Sequence, residues 1–469
     1  MKSPSLSFIV LIVLSICLIH NTSATTENEI IIPQYWINTK FIRTIDITTA
    51  VVRENIAILA QNVHNEPLRE YYFPINENFD VHLSYITVKE KKTSKIFNIV
   101  KADFDSFKRI QFYKIIFDRQ IDPHEKIVFI MSTAFIHMLT PYPVEIAQSG
   151  RQNLLFRGNL YGNSAYTTEQ QKTTIKLSTA NVISYTKIPG VSRNGNTIIY
   201  GFDKKKPDDY EELLVHYEFQ QALLTIKGVR RDFEISHWGN NLAVEEHYNL
   251  THDGAKLKGQ FSRLEYQQTV YTHHETIMAR DFLLVLPGHA SEVYYRDEIG
   301  NVSTSRLRKE RERTILEFKP RYPLFGGWNY TWYYGYNVPL GDFLKYDHQT
   351  GRYIFQVSSF IDPFHNAVYD KAQIRIILPE GASNVKVELP FPVNKETHTV
   401  FKTYFDSKGR YLVVLDKYNV VQEHSSPFLV SYEYSTLELL RKPLVASTFF
   451  FCGFLLSMVY SRMEFRIGK

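Results

Sequence analysis

The chain has 469 residues and a net charge of +5, of which Lys2 and the tail after Tyr460 carry +3, leaving residues 25–443 at +2. A body so nearly balanced lacks the basic field that phosphate neutralisation needs, so nucleic acid is excluded as a partner. The two cysteines, Cys17 and Cys452, lie in terminal apolar runs, which excludes a disulfide framework or thiolate metal site from the body, while 31 Tyr and 32 Phe point to aromatic cores rather than disorder.

The N-terminus reads Met1-Lys2-Ser3-Pro4, then an apolar run from Leu6 to Ile19, then the small residues Thr22 and Ala24. A basic start, a short apolar stretch and a small-residue site describe a secretory signal peptide over 1–24, cleaved after Ala24; an uncleaved anchor is the competing reading.

Beyond it, period-two alternation dominates, as in Val81-Leu83-Tyr85, Ile374-Ile376-Leu378 and Val385-Val387-Leu389. Asn194-Gly195, Asp253-Gly254, Gly351 and Lys408-Gly409 each stand where a hairpin would reverse. The pattern predicts a mainly β protein with two antiparallel β-sandwich-like domains and a few short helices, the best helical candidate running from Asp208 to Phe219. The Lys204-Lys205-Lys206-Pro207 turn, Arg230-Arg231 and the segment FEISHWGNN place the domain change near residue 235, giving domains over 25–235 and 236–443. No internal repeat or low-complexity segment is visible.

Candidate chemistry along the chain fails on spacing. His124-Glu125 and His274-Glu275 begin like a zinc-peptidase H-E-x-x-H, but neither has the second histidine one turn later. Phosphate-binding, dinucleotide-binding and nucleophile-elbow glycine motifs are absent, so no catalytic, cofactor-binding or metal residue is assigned and no cofactor is expected. Adjacent acids, Glu211-Glu212 and Glu245-Glu246, point to opposite faces of a strand and read as solvated charge. The mixed run Arg306 to Arg313 reads as an exposed loop or strand edge, with a docking surface as the second reading. Three N-x-S/T sequons, at Asn249, Asn301 and Asn329, are glycosylation candidates. Asn301, following Gly300 in a turn, ranks first, Asn249 second, and Asn329 last because Trp328, Tyr330 and Trp332 surround it.

Leu444 to Tyr460 is an uncharged run of 17 residues, just long enough for a spanning helix and better suited to the thinner endoplasmic reticulum bilayer. Its flanking charges are nearly even, so orientation follows from the signal peptide, which puts 25–443 in the lumen and 461–469 in the cytosol as a short tail. A GPI signal is disfavoured, because the run is preceded by LELLRKP and ends RMEFRIGK.

Six blocks, FEISHWGNN at 233–241, HDGAKLKGQFSR at 252–263, VYYRDEIGNVSTS at 293–305, PRYPLFGGW at 320–328, IRIILPEGA at 374–382 and YFDSKGR at 404–410, resemble the ribophorin I family in one order. The resemblance covers nearly the whole chain and is weaker before residue 230. It implies a non-catalytic subunit of the oligosaccharyltransferase complex of the endoplasmic reticulum membrane. There, a separate polytopic subunit transfers a preassembled oligosaccharide from dolichol diphosphate to Asn in N-x-S/T acceptors. The partners implied are that catalytic subunit, the other subunits of the complex, the membrane, and nascent acceptor polypeptides. Longer family members carry a cytosolic domain after the span; the short tail here resembles fungal and other lower-eukaryote members. A single-pass adhesion or glycan-binding receptor is the alternative that composition alone leaves open, and a hydrolase with dispersed catalytic groups is a third class.

Overall fold

A computed structural model describes residues 30–463 except 208, 272–276, 362–363, 365–366 and 404–405. The predicted signal peptide, His274-Glu275 and most of the tail lie outside the described residues.

The β alternation becomes two large sheets of seven strands. The first runs in the order Ser192–Asn194, Thr197–Lys205, Thr168–Leu177, Trp36–Ile47, Val52–Asn62, Lys126–Phe135, Leu83–Glu90. The second runs Lys395–Phe401, Arg410–Val420, Ala367–Glu380, Leu224–Ser236, Asn241–His252, Asn329–Pro339, Ser291–Asp297. Place for place the two orders are the same in chain sequence. Each sheet also has its one parallel pair in the same position, Trp36–Ile47 with Thr168–Leu177 and Leu224–Ser236 with Ala367–Glu380.

The smaller sheets repeat as well. Leu68–Asn76, Ile110–Ile121 and Asn98–Asp105 match Phe282–Pro287, Arg313–Phe318 and Ser305–Lys309 in order. Val182–Tyr185, Glu212–Glu218, Asn153–Asn159 and Leu139–Pro141 match Ser383–Glu388, Phe428–Glu433, Arg352–Val357 and Leu344–Asp347. The chain is therefore a tandem duplication of one β topology, a repeat that identical residues do not advertise.

The duplication carries a buried ion pair with it. In the first unit Arg43 reaches Glu54 at 2.5 Å and donates to the Asn159 carbonyl at 2.7 Å. In the second, Arg231 reaches Glu246 at 2.7 Å and donates to the Ser359 carbonyl at 2.8 Å. Each arginine lies on the first strand of its unit, each glutamate on the second, and each carbonyl at or just after the equivalent strand of the four-stranded sheet. Glu246 has no exposed side-chain surface. Solvated charge thus holds for Glu212 but not for Glu246. The strand does point Glu245 and Glu246 to opposite faces, and Glu246 faces the core with a guanidinium to neutralise it.

Three other expectations change. Glu212–Glu218 is a strand, not part of a helix: Leu213, Val215 and Tyr217 are fully buried at period two. The sequence there also satisfies a 3.6-residue period through Leu213, Leu214 and Tyr217, which is why it read as helical. Asp253-Gly254 makes no hairpin; it feeds the short strand Lys256–Leu257, which pairs in parallel with Glu145–Ile146 and so links the units. FEISHWGNN is a hairpin turn inside the second sheet, so the chain changes sheets between Glu218 and Leu224, ahead of residue 235.

The units share apolar contacts rather than a loose linker. Val368 and Val421 of the second unit belong to a core cluster made mostly by the first. Arg53 bonds Glu423 at 2.6 Å, and Asn419 donates to the Val81 carbonyl at 3.1 Å.

Candidate functional sites

The helix Thr436–Arg462 contains the predicted span and begins on the surface of the second unit. Ser435 caps it, its hydroxyl accepting from the Glu438 N–H. Four acids and four bases brace the junction. Lys442 bonds Asp406 at 2.7 Å, Lys408 bonds Glu438 at 3.3 Å, and Arg441 bonds Glu438 at 3.0 Å. Arg410 joins Asp406 to Glu234. Glu380 accepts from the Ser407 N–H at 2.8 Å and the Lys408 N–H at 2.6 Å. Burial alone would raise the Asp406 pKa, yet hydrogen bonds from Lys442 and Thr403 and the charge of Arg410 outweigh it and hold the carboxyl below its usual range.

Gly381 shows how tightly the helix is seated. Its φ is +96°, and a Cβ there would stand 2.7 Å from Glu438 Cγ. Glu234, Glu380, Gly381, Asp406, Lys408 and Arg410 come from three of the six family-like blocks.

The other three blocks meet at an open groove of about 700 Å³. Phe261 and Tyr322 supply apolar walls, and Arg263, Arg280, Lys319 and Arg321 supply charge. Part of that charge is spent locally, since Arg280 bonds Asp281 at 2.8 Å and Arg321 bonds Asp297 at 3.0 Å. Here backbones approach closely: a Cβ on Gly326 would fall 1.9 Å from the Ala255 carbonyl oxygen. Neither the groove nor the junction was signalled by a short motif; both required the fold to bring distant blocks together.

The three candidate asparagines are all exposed. Asn301 follows Gly300, whose φ is +137°, and its Oδ1 accepts from Arg296 at 2.8 Å. Asn249 and Asn329 are register neighbours. Asn249 stands opposite Thr331 and Thr251 opposite Asn329, so the two sequons share one patch of the second sheet. The aromatic neighbours that ranked Asn329 last are partly turned away, with Tyr330 and Trp332 buried in the core beneath it.

His124 occupies a turn at φ +64° and shares no metal-holding cluster; among the described residues no group of three or more His, Cys, Asp or Glu is placed to hold a metal ion. The mixed charge run falls on Ser305–Lys309, an exposed edge strand, and the hairpin after it, where Glu310 bonds Arg313 at 2.7 Å.

Comparison with known proteins covers almost all of this architecture. The family model described as ribophorin I matches residues 36–461. The chain is 33% identical to dolichyl-diphosphooligosaccharide–protein glycosyltransferase subunit 1 of Caenorhabditis elegans, over 91% of this chain and 72% of that one. It is 34% identical to subunit 1B of Arabidopsis thaliana, over 91% of this chain and 93% of that one. It is 38% identical to subunit 1B of Oryza sativa subsp. japonica, over 76% and 75% respectively. Among solved structures, a putative nutrient-binding protein of Legionella pneumophila is alike over 39% of the chain at 10% identity and a TM-score of 0.28, too partial a likeness to build on. Matched from the first strand of the first sheet to the C-terminal helix, the chain belongs to the ribophorin I family.

Proposed function

We propose that this chain is subunit 1 of the dolichyl-diphosphooligosaccharide–protein glycosyltransferase complex, a single-pass subunit of the endoplasmic reticulum membrane with residues 25–443 in the lumen. Within the complex it is a non-catalytic scaffold. It sets the position of the catalytic subunit and steadies acceptor chain, for which the aromatic and basic groove is the candidate surface.

The observation that supports a scaffold is where the family-like blocks fall. Three brace the start of the membrane helix and three build the groove. A rigid junction suits a protein whose work is to hold one body at a fixed attitude to the bilayer.

Depletion of the chain should leave secretory glycoproteins under-occupied at N-x-S/T sites, while the purified chain should transfer nothing from a dolichol-linked donor. Site occupancy is measured across many glycoproteins and normalised to the remaining catalytic subunit. Normal occupancy everywhere would remove the chain from this complex, and transfer by the chain alone would end the non-catalytic reading. An even deficit indicates lost assembly; a deficit that varies among acceptors indicates lost presentation.

The chain's own sequons give a second prediction. Asn301 should carry a glycan, and Asn249 and Asn329 should not be modified together on one molecule, because their register places two glycans over one patch. Glycopeptide mapping of intact molecules decides it; frequent double occupancy would show that the shared patch imposes no exclusion.

A further inference from the structure

Pro443 lies inside the helix Thr436–Arg462. Proline has no N–H, so the carbonyl four residues earlier, that of Leu439, loses its helical donor. The missing donor comes from another part of the chain: the indole Nε1–H of Trp238 donates to the Leu439 carbonyl. Trp238 stands in the hairpin turn between Leu224–Ser236 and Asn241–His252, so the second lumenal sheet itself caps the proline break.

The rest of the indole is uncovered. Trp238 is 58% exposed, and Leu437 and Leu440 beside it on the helix are 75% and 45% exposed. With its one donor spent on Leu439, the ring offers water only an apolar face. Other aromatic residues extend the patch. His237 packs on Tyr353 and Tyr434 at 4.8 Å each, and Tyr353 packs on the 46% exposed Tyr346 at 4.9 Å. Arg441 and Lys442 lie on the intervening helix turn. Trp and Tyr with nearby Lys and Arg is the composition of a membrane–water interface.

Depth agrees with chemistry. Leu439 precedes Leu444, the start of the uncharged run, by five residues; that is about 7–8 Å of helix rise, comparable to one interfacial layer of about 5–8 Å. The run of 17 residues spans about 25 Å, a little short of a core of about 27–30 Å, and such a shortfall draws flanking groups towards the lipid.

We infer that the 236–241 hairpin tip is a second membrane contact, with Trp238 in the lumenal headgroup and carbonyl layer of the phospholipid while its N–H locks the proline break of the span. This rests on the reading of Thr436–Arg462 as a span, and the test separates the two. The full chain is reconstituted in phosphatidylcholine vesicles brominated either near the acyl carbonyls or near the chain ends. Shallow bromines should quench a component of tryptophan emission that W238F removes, and deep bromines should quench that component less. Trp36 and Trp332, each 1% exposed, and the half-buried Trp328 form the constant background. A fluorophore on Cys452, in the span, should be quenched most by deep bromines. If Cys452 responds so and no W238F-dependent quenching appears, the lipid contact is overturned and the span stands; if Cys452 does not respond, both fall. In membranes holding the assembled complex, a photoreactive phosphatidylcholine should label residues 236–241. A cross-link from that segment to a neighbouring subunit in place of lipid would overturn the inference.

Discussion

Replacing Glu246 by Gln should destabilise the second unit by about 3–5 kcal/mol, the usual cost of breaking a buried ion pair by removing one of its charges. Arg231 would remain 1% exposed with its donors fixed on Glu246 and the Ser359 carbonyl. A glutamine oxygen can accept one of those bonds but brings no charge to the guanidinium. Tyr248, whose hydroxyl donates to Glu246 Oε2 at 2.7 Å, would meet a weaker acceptor or an opposing NH₂ group. Denaturant unfolding of the full chain in detergent measures the cost.

Two further variants show whether the charge is the cause. E54Q should cost less than E246Q, because the Glu54 side chain keeps 10% of its surface exposed and Glu246 keeps none. The double replacement R231M/E246L should recover part of the lost stability: it removes both charges of the pair and leaves apolar side chains in a core that already holds Phe233 and Tyr248, but it takes the acceptor from the Tyr248 hydroxyl and the donor from the Ser359 carbonyl. If E246Q were as mild as a surface substitution, the ion pair would be incidental to the repeat rather than a clamp at its equivalent places.

Much of the fold was legible because strand burial writes a period of two into the chain. Ile374, Ile376 and Leu378 are all fully buried in the long central strand Ala367–Glu380. The turns at Gly195, Gly351 and Gly409 were legible for a similar reason, each having a positive φ that glycine tolerates. The duplication was not legible. Topology is kept by strand order and pairing, which no local pattern records, and the repeat's buried pair is written as Arg43–Glu54 eleven residues apart in one unit and Arg231–Glu246 fifteen apart in the other. Glu246 was misread for want of knowing which face of its strand met the core. The junction was half legible: Pro443 announces an orphan carbonyl at Leu439, but only the fold reveals that Trp238, some two hundred positions earlier, answers it.

Acidification should weaken the seam between the two units, and His424 should carry an identifiable share of the effect. The ring is 2% exposed, packed on Phe391 at 4.9 Å and on Tyr85 of the first unit at 5.7 Å. Burial, with the positive charge of Lys417, pushes its pKa down to about 3, although its bonding to the Val421 backbone works the other way. The neutral ring is therefore the folded form, its Nδ1 accepting from the Val421 N–H. Because the folded pKa is depressed, this contribution is fully present above the unfolded value near 6.5 and drains as the pH falls towards about 3. Between about pH 7.5 and about pH 5 the loss is about 2 kcal/mol. His82, His237 and His252 are shifted in the same direction by burial, so the wild-type slope exceeds the share of any one residue. The difference between wild type and H424Q isolates His424, since glutamine keeps an acceptor for Val421 and cannot take the proton. Unfolding midpoints across this range should fall less steeply for H424Q. Parallel slopes would mean that the buried ring does not titrate with unfolding, and that the seam is held through acid by the Arg53–Glu423 pair and the shared apolar contacts of Val368 and Val421.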